Sequence, residues 1–282
     1  MLNRLKARLL FGRDRTAATH FLQRDALHNL QLIDFASRLG LSAGPSEVAP
    51  QLLGAFEGGR IVGLMSLRPS VILDFRADEV LLDLWMPFLE ALPSGLMKSG
   101  WDGATSLLER MVARGRGVLL DRDETAYVLN AERVVKLEPP TGAKLRRAVE
   151  HDLEELVGAA RASLRSEGRP DPFDGDPPGF RRWVQGRLPR ARVVESEGQV
   201  QFAGYADVRR GEGWLVQGVY TFPQVRRRGF AAAGMSGICQ EAFASGAQHV
   251  QLAVVTGNVA AECLYAGLGF EPFARLRTVL FL

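Results

Sequence analysis

Residues 224–229, Gln-Val-Arg-Arg-Arg-Gly, set three arginines beside a glycine and run directly into Phe230, Ala231, Ala232 and Ala233. The strand-like WLVQGVYT stands before them and the helix-like FAAAGMSGICQEAFASG after them, so the turn delivers the chain to a helix N-terminus. The first N–H groups of a helix have no internal partner and carry the positive end of its dipole, which suits phosphate oxygens. Gly229 would let the main chain approach a ligand closely, and the alanines would keep the helix shoulder open. Arg226, Arg227 and Arg228 would add charge-assisted contacts at the rim. A charge run is also the ordinary look of a solvated turn, and this stretch alone leaves both readings open.

A second constellation lies at NVAAECLYAGLGF, Asn258 to Phe270, after the strand-like HVQLAVVT. Asn258 is a good N-cap, and Gly267 and Gly269 suit a helix end. On a helix, Asn258, Ala261 and Tyr265 share one face, with Asn258 and Tyr265 about 10 Å apart along the axis. A polar group at each end of a small-residue stripe fits a slender ligand, although a cap and a buried tyrosine also account for the pair. Cys239 and Cys263 fall in apolar helical contexts and read as inert buried thiols. His20, His28, His151 and His249 are too scattered for a metal site, and Trp214 reads as core.

These residues need a folded frame, and the chain supplies one. At 282 residues, 46% hydrophobic and 24% charged, it is long enough for two ordinary domains and has an average soluble composition. A net charge of +3 implies no general nucleic-acid role. Two cysteines are too few for a disulfide framework and lack metal spacing, so a reducing, cytoplasmic setting is expected. No stretch is long and apolar enough to span a bilayer, and the first fifteen residues lack a signal-peptide core and read as a terminal helix.

Two prolines and a glycine in KLEPPTGAKL place a boundary near residues 136–143. Before it, FLQRDALHNLQLIDFASRLG has helical spacing ending at Gly40, LLGAFEGGRIVGLMSL reads as a hairpin, helices follow near 79–92 and 104–113, and TAYVLN reads as a strand. After it come a short strand, a helix opening near His151 or Asp152, the loop RSEGRPDPFDGDPP, the helical GFRRWVQGRL and three strands of a meander. The repeated order of helix then hairpin predicts two copies of one architecture.

Together the two constellations resemble the GNAT superfamily of N-acetyltransferases. Its signature R/Q-x-x-G-x-G/A is matched by Arg226, Gly229 and Ala231, and its N-x-x-A-x-x-L-Y-x-x-x-G-F helix by Asn258, Ala261, Leu264, Tyr265, Gly269 and Phe270. The likeness covers roughly residues 143–282. Residues 1–136 are similar to the degenerate amino-terminal lobe of some two-lobed bacterial members, without either motif, so one working site is expected. The fold implied is α/β (α+β): tandem lobes, each a mixed, mostly antiparallel sheet flanked by helices, with the cofactor site in the carboxyl-terminal lobe.

The resemblance implies acetyl-CoA as co-substrate. Its pyrophosphate would lie on the main-chain amides of Arg226, Arg227, Arg228, Gly229, Phe230, Ala231 and Ala232, and its pantetheine arm in a splay between two strands. Backbone N–H groups at Val219, Tyr220 and Thr221 would face the thioester oxygen. Asn258 would both cap its helix and orient the ligand, and Tyr265 would stand near the sulfur and protonate or hydrogen-bond the departing thiolate. The acceptor implied is a primary amine, on a small molecule or a protein. Some members carry a Glu where this chain has Ala253, so the general base is open: Glu167 and Asp207 are candidates, ordinary surface carboxylates being the alternative, and Gln217 could orient a substrate. The proline-rich loop is a candidate acceptor lid. Two other readings keep the fold: a non-catalytic acetyl-CoA sensor contacting a protein partner, and a transferase of another acyl group.

Overall fold

A computed structural model describes residues 5–44 and 47–282. Apart from short 3-10 turns, the first half runs β1 (Leu5–Leu9), α1 (Arg15–Leu22), α2 (Ala26–Ser37), β2 (Gln51–Glu57), β3 (Arg60–Arg68), β4 (Ile72–Leu73), α3 (Glu79–Glu90), β5 (Gly95–Gly100), α4 (Trp101–Ala113) and β6 (Val118–Asn130). The second half runs β7 (Ala143–Arg147), α5 (Leu153–Ser166), α6 (Pro177–Gln185), β8 (Ala191–Ser196), β9 (Gln199–Arg209), β10 (Trp214–Thr221), α7 (Phe230–Ala244), β11 (His249–Val255), α8 (Val259–Gly267) and β12 (Glu271–Phe281). The order of helices and strands is the same in both halves.

One sheet has the order β1-β2-β3-β4, and the larger, mixed sheet has the order β5-β12-β6-β11-β10-β9-β8-β7. The last strand of each half is therefore exchanged. β6 pairs antiparallel with β11 from Asn130↔His249 to Glu124↔Val255, and β12 pairs with β5 from Leu276↔Gly100 to Phe281↔Gly95. β12 and β6 lie side by side between β5 and β11. The exchange carries core residues with it: Leu129 packs among Met235, Val250 and Phe270 of the second half, while Val279 and Phe281 pack among Trp85 and Met97 of the first.

Two expectations are corrected. Residues 5–9 form a strand, not part of a terminal helix; they pair with β2 from Leu5↔Glu57 to Leu9↔Leu53, with Ala7 and Leu9 against the first-half core. Residues 1–4 of that expectation lie outside the described residues. The single helical stretch ending at Gly40 is two helices, because Asp25 interrupts it and caps α2, its carboxylate accepting from the His28 N–H.

The segment between β6 and β7 is held along α7. The Ser236 hydroxyl donates to the Val135 carbonyl at 2.6 Å and accepts from the Leu137 N–H at 2.9 Å. No described helix is long and apolar enough to cross a membrane.

Candidate active site

β10 and β11 are parallel neighbours only at Trp214↔Val250 and Leu215↔Gln251; beyond that point they part. The cause lies in β10. Gly218 has φ +60°, and the register against β9 slips between Gln217 and Tyr220, a bulge that bends the strand. β11 is meanwhile paired with β6 along its whole length without a register shift. The result is a V-shaped groove, and among the described residues neither Val216–Thr221 nor Leu252–Val255 has a strand partner across it.

At the mouth of the V the chain turns from β10 into α7. Arg227 has φ +64° and Gly229 φ +87°, a left-handed conformation that glycine adopts without penalty. The Arg226 N–H donates to the Pro223 carbonyl at 3.3 Å, and the next inward bond is from the Ala233 N–H to the Gly229 carbonyl at 3.0 Å. Between them, the main-chain N–H groups from Arg227 to Ala232 meet no protein acceptor among the described residues. The open set expected from Arg226 to Ala232 thus begins one residue later. Arg226 lies back on the strand, its Nε donating to the Thr221 carbonyl at 3.1 Å, and Arg228 sits over the Phe230 ring. None of the three arginines meets a carboxylate among the described residues, so a ligand's negative charge has no competitor there.

α8 forms the opposite wall. Asn258 is its N-cap, Oδ1 accepting from the Ala261 N–H at 3.2 Å. Tyr265 is buried, its ring edge-on to Phe270 at 5.6 Å, and its hydroxyl has no hydrogen bond to the described protein. Burial pushes this phenol well above its ordinary range, with Cys239 and the Glu167 carboxylate adding to the effect. Cys239 is buried and its thiol pushed up to about 12 by burial. Cys263, on α8, departs from expectation: it is exposed.

Glu167 follows α5 and accepts from Arg122 Nη1 at 3.1 Å and from the Ser163 hydroxyl at 3.2 Å. Arg122 also pairs with Glu124 at 2.9 Å, and Glu124 accepts from Lys98 and, at 2.7 Å, from the Thr278 hydroxyl. Burial works to raise the Glu124 pKa, but Lys98 and Arg122 overcome it and hold the carboxyl at about 2. Asp207, the other candidate base, is paired with Arg187, whose guanidinium lies 4.0 Å above the Tyr205 ring. Sequence reasoning missed Lys98, Arg122 and Glu124 because they lie in the first half, and only the strand exchange brings them here.

Between the halves, over the closed end of the V, lies a cavity of about 80 Å³. His28 and Gln31 of α2, Lys98 of β5, Gln217 of β10, and Gln251 and Ala253 of β11 line it. The Gln251 side-chain oxygen is buried with no hydrogen-bond partner among the described residues. The described residues contain no cluster fit to hold a metal ion.

Residues 143–270 match the acetyltransferase (GNAT) family model. The second half is a GNAT domain. Over nearly the whole chain the fold is similar to those of solved structures at low identity. A Drosophila protein superposes with a TM-score of 0.66 at 13% identity, covering 97% of this chain and 90% of its own. A GCN5-related N-acetyltransferase from Sphaerobacter thermophilus gives 0.61 at 17% identity, covering 99% and 95%. A tandem GNAT protein from the clavulanic acid biosynthesis pathway gives 0.59 at 14% identity, covering 98% and 97%. No curated protein matches the sequence.

In the first half β4 and β5 likewise meet at one end only, at the Val71–Met97 bridge, and lie in separate sheets, so the difference between the halves lies at the helix that follows. Strand β4 is only two residues long, and the Val71 main chain is bonded on both sides to β5, from its own N–H to Leu96 at 2.8 Å and from the Lys98 N–H at 3.0 Å. At the N-terminus of α3, the Asp78 carboxylate accepts from the Leu81 N–H at 3.0 Å, where the GNAT domain leaves its amides free.

Proposed function

We propose that this protein is an acetyl-CoA-dependent N-acetyltransferase, moving an acetyl group to a primary amine by direct attack. In this reading residues 143–282 form the catalytic lobe and residues 1–136 a lobe without a cofactor site of its own. The observation that carries it is the run of unpartnered amides from Arg227 to Ala232 at the mouth of an unpartnered V between β10 and β11. Such amides and the α7 dipole suit a diphosphate, and an extended pantetheine arm suits two open strand edges.

The main chain at Val219, Tyr220 and Thr221 would then supply fixed dipoles to the thioester oxygen as negative charge develops there. Asn258 would fix the start of α8 and meet the arm, and Tyr265 would stand near the sulfur. A thiol has a pKa of about 8.5 and a free tyrosine about 10. With the Tyr265 pKa raised further, full transfer of its proton to the thiolate is more uphill. Donation of a hydrogen bond from a phenol that stays protonated is the favoured role. Glu167 faces the same region, but its carboxylate is committed to Arg122 and Ser163, which weakens its claim as a base.

Two measurements test the proposal. Calorimetry with acetyl-CoA should show saturable binding, and a panel of primary amines should release coenzyme A thiol. Absence of heat at millimolar coenzyme A overturns the reading. Binding without thiol release across the panel would favour a non-catalytic sensor.

A further inference from the structure

If the reaction is as proposed, the proton carried by the incoming ammonium group needs a destination, and the residues around the V do not supply one. Ala253 has no basic group, Glu167 and Asp207 are ion-paired, and among the described residues no carboxylate lines the cavity over the closed end of the V. The titratable side chains that do line it are His28 and Lys98. Lys98 is bound to Glu124, and an ammonium group accepts no proton.

We propose that His28, contributed by the first half, is the general base of the second half's reaction, and that Asp25 is its positioning residue. The Asp25 carboxylate lies 2.8 Å from His28 Nδ1, which assigns the proton to Nδ1 and leaves Nε2 with a free lone pair. The ring is fixed by two aromatic neighbours, Phe75 stacked at 4.0 Å and Phe273 tilted at 5.5 Å. The wall of that cavity continues through Gln217 of β10 and Ala253 of β11, so base and groove share one space. The charges facing the pair are Arg76, 3.9 Å from Asp25, the buried Asp74, which accepts from Asn29, and Lys98 with its partner Glu124.

The reaction balances with His28 in this role. Nε2 takes one proton from the ammonium group. The freed amine forms a C–N bond to the acetyl carbon as the C–S bond breaks, and the second proton lost by nitrogen ends on the coenzyme A sulfur. His28, then an imidazolium beside the Asp25 carboxylate, returns its proton to solvent, one per turnover.

The inference rests on the acetyltransferase reading, and the test separates the two. Wild-type protein, His28→Gln, His28→Ala and Asp25→Asn are titrated with acetyl-CoA by calorimetry and then assayed for thiol release with 2-phenylethylamine as the acceptor probe. Binding should be equal in all four; absence of binding in the wild type sinks the parent reading alone. His28→Gln should lower kcat/KM about 100-fold at pH 7, within the usual range for general-base catalysis. The deficit should shrink as pH rises toward the amine's own pKa, because free amine then needs no base. Added imidazole should restore part of the His28→Ala loss. Asp25→Asn, which keeps a capping side chain on α2, should cost about tenfold. Nitrogen NMR of wild-type protein should show the Nδ1–H tautomer. A His28→Gln rate within twofold of wild type, a deficit unchanged by pH, or the Nε2–H tautomer would each overturn the assignment.

Discussion

The turn from β4 into α3 and the turn from β10 into α7 occupy the same place in two halves with the same order of elements, and they treat the helix N-terminus in opposite ways. The first is sealed from within: the Asp78 side chain accepts from the Leu81 N–H. The second is left open: Gly229 has no side chain to cap with, and Gly218 bends β10 away from β11. A helix end needs acceptors either way. The chain supplies an acceptor at one of these ends and withholds it at the other.

Alterations to these parts should separate structural from ligand-binding roles. The largest effect is expected where the halves are joined. Leu129→Ala removes a first-half side chain from the second-half core and should cost about 2–5 kcal/mol, read as a fall in the denaturant midpoint with both halves still unfolding in one transition. Two transitions would show that the exchanged strands do not couple them.

Acid should strain the same joint. Glu124 titrates at about 2 in the folded chain against roughly 4.3 unfolded, so its ionised form adds stability at neutral pH that fades as pH falls through that window. The contribution is on the order of 3 kcal/mol. In Glu124→Gln, this component of the acid sensitivity should disappear from melts recorded between pH 6 and pH 2.

Giving the open turn the chemistry of the sealed one is the next test. Gly229→Asp places a carboxylate among the free amides, in a residue that tolerates left-handed backbone better than most. Coenzyme A affinity should fall about 100-fold by calorimetry; an unchanged Kd would show that the diphosphate does not bind there. Tyr265→Phe should lower kcat about tenfold while leaving acetyl-CoA affinity nearly intact, and equal turnover would remove the hydroxyl from the reaction. The smallest effect belongs to the sealed turn: Asp78→Ala should cost about 1 kcal/mol of stability, as lost caps do, without changing coenzyme A binding.

Much of this was legible in the residues. Gly229, Ala231, Asn258 and Tyr265 stood out because a glycine turn into a helix and a small-residue helix face leave local patterns, and the hairpin and meander announced themselves by alternation around turn residues. What escaped was long-range. TAYVLN read as a short strand, whereas β6 reaches back to Val118 through a charged run that looks unlike a strand. Its charges are paired across the sheet, Asp121 with Arg277 at 2.7 Å and Asp123 with Arg275 at 2.6 Å, and such partners are more than 150 positions away. The cavity between the halves was hidden for the same reason. His28 looked like one of four scattered histidines because its relation to β10 and β11 arises only when the halves close on each other.

The exchanged strands also set a schedule for biosynthesis. Because β5 waits for β12, the amino-terminal lobe leaves the ribosome with an unsatisfied sheet edge that is covered only when residues 271–281 emerge. Nascent chains halted before that point should be sticky and dependent on holding factors, and a premature stop within the last strand should damage the lobe that was translated first.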